Sequence, residues 1–299
     1  MIYEEFKMTI KEELQKHYQE EVEVELCEML KNNGRSYDGI RITMKEDCHK
    51  PVPIIGLNNF YEDYAKGKTD MKSCVKEIME EREKYNCPEE LEEFARKIIN
   101  WEFVKENVYP ILLSTKDNEQ ILKHLVSTTF LDLSICYIIR NNLEEECGSN
   151  TKISTSMLEY YGINKEQLHN QALKNLGKEG YEFLNMMKFI KSLPLPMLGK
   201  EELPGDVDMY VLTNGCQLYG AAGILNKQLL KNFAQDQDFF ILPSSVHECI
   251  FVPVSDKSVR EEFDSMVSQI NADVVDVEER LSNHCYYYDA KENEIRICK

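Results

Sequence analysis

The sequence predicts an α+β protein with antiparallel sheets and helices packed on a face. Three observations predict it. Short segments of alternating apolar and polar residues follow one another across tight turns, and strands so joined pair antiparallel. Between these pairs stand segments with apolar residues every three or four positions, opened by capping residues, as in helices laid on a sheet. Strands and helices do not alternate one for one, as a doubly wound parallel sheet requires. The 299 residues, 42% of them hydrophobic, suffice for a sizeable core.

The elements follow in order. Ile2, Phe6, Ile10 and Leu14 recur every four residues and mark one face of an opening helix. VEVELCEML (22–30) alternates as a strand, Asn32-Asn33-Gly34 is a turn, and Tyr37 to Met44 alternates again, which makes a β-hairpin. PVPIIGLNNFY adds a short third extended segment. Thr69-Asp70 caps a helix carrying Met71, Cys74, Val75, Ile78 and Met79 on one face. Asn86-Cys87-Pro88 starts another, with Leu91, Phe94, Ala95, Ile98 and Ile99 as its face and Trp101 closing it. Val108 to Ser114 and the apolar run from Val126 to Ile139 read as extended. The polar stretch Asn141 to Ser149 is either a domain boundary or a hairpin turn inside one domain.

The second half is more regular. Asn164 and Gln167 form a capping box before Leu168, Ala172 and Leu176, with Gly177 at the end. Phe183, Met186, Met187 and Ile190 read as a helix that Pro194 and Pro196 terminate, and Gly199 to Gly205 as a loop. MYVLTN and GAAGIL read as strands around a Gly215 turn, followed by a short helix on Leu229, Leu230, Phe233 and Ala234. FFILPSS and CIFVPV are two further strands. Ser255 or Asp256 caps a helix with Val259, Phe263, Met266, Val267 and Ile270, and CYYYD and EIRIC pair around Ala290–Asn293. The expected organisation is an N-terminal hairpin-plus-helices part over 1–145 and a C-terminal β-β-α-β-β-α-β-β part over 150–299. The two can share one core.

Composition narrows the function. With 35 basic and 53 acidic residues the net charge is −18, spread along the chain. Such a surface repels phosphate, so neither nucleic acid nor an anionic membrane is an expected partner, whereas a basic protein is. The ten cysteines include no C-x-x-C pair and mostly fall in apolar patterns, as buried thiols in a reducing compartment do. The opening MIYEEFKMTIKEEL is charged and amphipathic, without the apolar core of a signal peptide, and nowhere do 18 apolar residues run together. A cytoplasmic location is expected.

The most suggestive chemistry is in ILPSSVHECIFVP (241–253), where Ser244, Ser245, His247 and Glu248 crowd a turn that Pro243 opens. A serine nucleophile with a histidine base would be the catalytic reading. Against it, no G-x-S-x-G elbow surrounds either serine, and Ser-rich turns commonly bond their own backbone. His247-Glu248 lacks the second histidine of H-E-x-x-H, because Phe251 stands there, so no metal is expected. Asp132, inside the run Phe130 to Ser134, is either an acid of raised pKa or an outward position on a half-exposed strand. Asn214 is a further candidate binding residue. Gly220-Ala221-Ala222-Gly223 lacks the spacing of phosphate or dinucleotide loops, and no cofactor is expected.

YVLTN (210–214), the Gly220-Ala221-Ala222 that follows, ILPSSVHE (241–248), LSNHCYYYD (281–289), GINKEQLHNQALKN (162–175) and SYDGI (36–40) stand in a distinctive order. In that order they resemble an uncharacterised domain-of-unknown-function family of gut anaerobic bacteria, over most of the chain. The resemblance implies one bacterial, intracellular unit and marks Asn214, Ser244, Ser245, His247 and Glu248; it brings no activity with it. Two functions stay open. One is a non-enzymatic cytoplasmic binding or interaction protein. The other is a small-molecule hydrolase or transferase using the Pro243–Glu248 turn.

Overall fold

The computed structural model describes residues 1–45, 50–141, 149–186, 209–243, 245–254 and 260–298. They form two compact units, Met1–Asn100 and Trp101–Lys299. Most of the polar stretch read as a domain boundary or a hairpin turn, residues 142–148, lies outside the described residues. The α+β class holds: three sheets are described, and every strand pair within them is antiparallel.

In the first unit, α1 (Tyr3–Tyr18) precedes the hairpin of β1 (Val22–Leu30) and β2 (Ser36–Met44), and β3 (Ile54–Gly56) pairs with β2. The hairpin turns through Asn33 and Gly34 at φ 56° and 70°, a left-handed backbone that these two residue types adopt most easily. Helices α2 (Asn58–Ala65), α3 (Met71–Lys84) and α4 (Glu89–Lys97) follow. Asp70 caps α3 by accepting the Ser73 N–H at 2.8 Å. Phe6, Ile10 and Leu14 of α1 share one buried cluster with Val24 and Ile40 of the sheet and Ile78 of α3. Trp101 does not close α4: the chain turns after Lys97, and Trp101 opens the next helix, α5 (Trp101–Asn107).

The second unit begins with α5 and β4 (Val108–Ser114), then α6 (Glu119–Leu122), β5 (Thr128–Phe130), β6 (Leu133–Arg140) and β7 (Asn150–Lys152). Strand β6 pairs with β4 on one side and with β5 and β7 on the other. Pro110 sits on β4, an edge strand, where a missing N–H is tolerated. The run Val126–Ile139 is therefore not one extended segment. It folds back at Leu131-Asp132, with Leu131 at φ 55°, so that Phe130 faces Leu133. Helices α7 (Thr155–Tyr161) and α8 (Lys165–Leu176) follow. The capping box of α8 forms as expected, the Asn164 and Gln167 side chains each accepting the other's N–H at 2.9 Å. Buried Asn175 of α8 donates to the carbonyls of Lys105 and Val108, both at 2.9 Å, which fixes α8 against the α5–β4 junction.

The six-stranded sheet contains β8 (Tyr181–Asn185), β9 (Tyr210–Asn214), β10 (Phe239–Leu242), β11 (Cys249–Pro253), β12 (Tyr286–Asp289) and β13 (Glu294–Ile297). Its order is β13-β12-β10-β11-β9-β8. Helix α9 (Lys227–Ala234) and helix α10 (Arg260–Asp273) cover opposite faces. Phe239 and Phe240 are neighbours on β10 and so point to opposite sides. Phe239 meets Phe233 of α9, and Phe240 meets Phe263 of α10.

Two expectations for the second half change. Phe183, placed on a helix by spacing, lies on strand β8, where its ring stacks on Phe233 at 3.5 Å between centroids. Met186 is helical, whereas Met187, Ile190 and the rest of that expected helix and the Gly199–Gly205 loop lie outside the described residues, as do Ser255 and Asp256. Gly220–Leu225 is a 3-10 helix and not a strand. A Cβ on Gly220 would fall 2.6 Å from Thr213 Oγ1 and still closer to the His247 carbonyl, so the chain packs at backbone contact there.

Candidate functional site

The turn from Pro243 to Glu248 joins β10 to β11 at one end of the six-stranded sheet. Its backbone is bonded on three sides. The Val246 N–H donates to the Glu279 carbonyl at 2.8 Å, and the Ser282 N–H donates to the Pro243 carbonyl at 3.0 Å. From the 3-10 side, the Ala221 N–H donates to the Val246 carbonyl at 3.3 Å. From β9, the Thr213 hydroxyl donates to the His247 carbonyl at 3.1 Å.

The side chains of the turn are held by hydrogen bonds as well. Buried Ser245 accepts the backbone N–H of His247 at 3.0 Å, a local serine turn. His247 Nδ1 accepts the N–H of Tyr219 at 3.2 Å, so the neutral ring carries its proton on Nε2, which lies 3.4 Å from Glu279 Oε1. Ser245 and His247 thus meet through serine oxygen and histidine backbone, and not as a nucleophile bonded to an imidazole base. Burial raises the Glu248 carboxyl above its ordinary value, opposed by the Ser245 hydrogen bond and the His247 charge. Ser244 lies outside the described residues.

Asn214 ends β9 and holds the loop that follows. Its side chain accepts the Leu218 N–H at 3.1 Å and donates to the Leu218 carbonyl at 2.9 Å and to Glu179 Oε1 at 2.8 Å. Glu179 also pairs with Arg140, both side chains mostly buried, and the guanidinium stands 4.7 Å over the Tyr109 ring. Burial first, and then the Glu179 charge, push the Tyr181 hydroxyl far up. Asp132 sits in the β5–β6 turn, where it accepts the Tyr286 hydroxyl at 2.5 Å and the Ser282 hydroxyl at 2.7 Å. Its two carboxylate oxygens thereby clamp β12 and the segment leading into it.

The four sequence words YVLTN, GAA, ILPSSVHE and LSNHC therefore converge on one clasp at the sheet end. Sequence reasoning missed Arg140, Glu179, Tyr219 and Glu279. Arg140 gave one signal, a lone cation ending an apolar strand.

A different place in the second unit is concave. A cavity of about 450 Å3 lies among β5, α8, the 3-10 helix, the start of α9 and the β12–β13 turn. Its walls are more apolar than polar, Leu173, Ile224 and Leu230 among them, with Thr128, Thr129, His169 and Asn293 the neutral polar groups and Lys227 and Glu294 the charges. Inside, Thr128 Oγ1 is 3.1 Å from the Tyr137 hydroxyl, which is 2.8 Å from His169 Nδ1. Burial pushes Tyr137 up to about 12 and, with the Lys165 charge second, pulls His169 below its usual value. The phenol is the better donor and the imidazole lone pair the better acceptor, which assigns the Tyr137 proton toward Nδ1 and the His169 proton to Nε2. Sequence reasoning missed this site too, although His169 and Leu173 stand four apart on one helix face.

The first unit has a second cavity, about 560 Å3, lined by Asp63, Glu77 and Glu81 with Lys68. Among the described residues no cluster of ligating side chains could hold a metal ion. No described helix is long and apolar enough to cross a membrane.

Residues 3–290 match a family model described as a family of unknown function (DUF5688). No curated protein and no solved structure gives a match.

Proposed function

Taking as premise that the chain belongs to the DUF5688 family, we propose a non-enzymatic binding protein that takes a small, mainly apolar molecule in the cavity beside His169. The cavity carries this reading. Its volume of about 450 Å3 falls in the range of small-molecule sites, and it combines apolar walls with a few convergent polar groups. The hydrogen bonds that tie Ser245 and His247 to backbone partners support the non-enzymatic side. A hydrolase or transferase at the Pro243–Glu248 turn would need those groups released.

The neutral fluorescent probe N-phenyl-1-naphthylamine tests the reading. It is expected to bind saturably, and Leu173→Trp or Leu225→Trp, each placing an indole in the cavity, is expected to abolish binding while circular dichroism stays unchanged. Saturable binding that both variants leave intact would refute the site. A basic protein partner is the second reading, favoured by the acidic cavity of the first unit. Capture of a polylysine peptide, lost as salt is raised, would bear it out; no capture at low salt would end it. The setting we assign is the reducing cytoplasm of a gut anaerobe, supported by the cysteine usage and the family resemblance.

A further inference from the structure

We propose that the cavity beside His169 selects molecules that present a neutral hydrogen-bond acceptor, a ketone or amide carbonyl, on an apolar body. This rests on the binding reading above and names the ligand class for the same site.

The imidazole sets the class. His169 Nδ1 is taken by Tyr137, which is itself held by Thr128, so the ring is fixed in place and Nε2 is the nitrogen left to serve a ligand. Nε2 carries the proton in the neutral ring and is therefore a donor. It asks for an acceptor. An ammonium brings only donors and finds no partner there. A carboxylate is an acceptor, but it would have to leave water for walls more apolar than polar whose neutral groups offer only uncharged donors in return, and burying an unpaired charge is costly. The two charged side chains of the lining, Lys227 and Glu294, are of opposite sign and both exposed, so they favour neither ion strongly. A carbonyl satisfies Nε2 without a charge to desolvate, and its apolar body covers Leu173, Ile224 and Leu230.

Three probes of one size and different polar group decide the matter: acetanilide, phenylacetate and phenethylammonium, titrated calorimetrically into the full chain at pH 7.5. The expected result is acetanilide binding at least about ten-fold tighter than either ion, about what one neutral hydrogen bond is worth. His169→Phe is expected to remove that preference, and His169→Gln, which keeps a donor, to retain part of it. The ring nitrogens of labelled His169 should report the Nε2–H form before and after binding. An ion that binds as tightly as acetanilide, or a preference indifferent to His169→Phe, would overturn the ligand class while leaving the cavity as a binding site. If none of the three binds and the naphthylamine probe does not either, the binding reading falls with it.

Discussion

At Glu248 burial and sequence pull in opposite directions. The residue is ionisable, and its surroundings favour the protonated form, because burial outweighs the help of Ser245 and His247. The folded carboxyl thus binds its proton more tightly than the unfolded one. Stability contributed by that proton is present below the ordinary carboxylate pKa and is lost as pH rises through the raised folded value. Glu248→Gln removes this loss. Urea unfolding of both proteins at pH 4 and pH 7.5 should show the variant gaining on the wild type at the higher pH. A difference that is constant with pH, or that grows in the other direction, would mean the carboxylate is comfortably solvated. The polar residues of this turn were legible in the sequence as polar groups in an apolar frame. Their partners were not: Tyr219 and His247 are 28 residues apart, and Asp132 and Ser282 are 150 apart. Spacing rules reach a few residues along a helix or strand, and tertiary hydrogen bonds are outside them.

Among the elements, the pattern found those whose reason for forming is local. Helix α1, the first hairpin and the capping box of α8 each follow from apolar spacing, turn residues or side-chain caps that lie side by side in the chain. The misread elements have distant reasons. Gly220–Leu225 is too small-chained to declare a period, and its form follows from pressing against Thr213 and His247. Strand β8 is set by pairing with β9 and by the Phe183–Phe233 stack. The β5–β6 turn places Leu131, not a glycine, in the left-handed region, and no turn rule selects a leucine there. The contact of the 3-10 helix with the turn is testable by substitution. Gly220→Ala should destabilise by about 1–3 kcal/mol, the usual range for overpacking. Gly215→Ala, whose Cβ would meet nothing within 4 Å, should change stability by less than about 1 kcal/mol. Equal urea midpoints for the two variants would show that the 3-10 helix does not bear on the clasp.

For the whole molecule, the sequence words YVLTN, GAA, ILPSSVHE and LSNHC share one structural setting. In the second unit, words far apart in the chain meet at one sheet end and bond one another through backbone groups. They hold that sheet end together, and the cavity lies elsewhere in the same unit. Charge is the other molecular property, and −18 spread over the chain steers encounters without specifying a site. On the proposed reading, ligand binding belongs to the cavity and the 243–248 turn is structural. Methyl-resolved NMR of the full chain, titrated with N-phenyl-1-naphthylamine, separates the two places directly. Shifts are expected to concentrate at Leu173, Ile224, Leu230 and Ile295, with Val246 unmoved. Shifts centred on Val246, or no shifts at the cavity methyls at saturation, would contradict it.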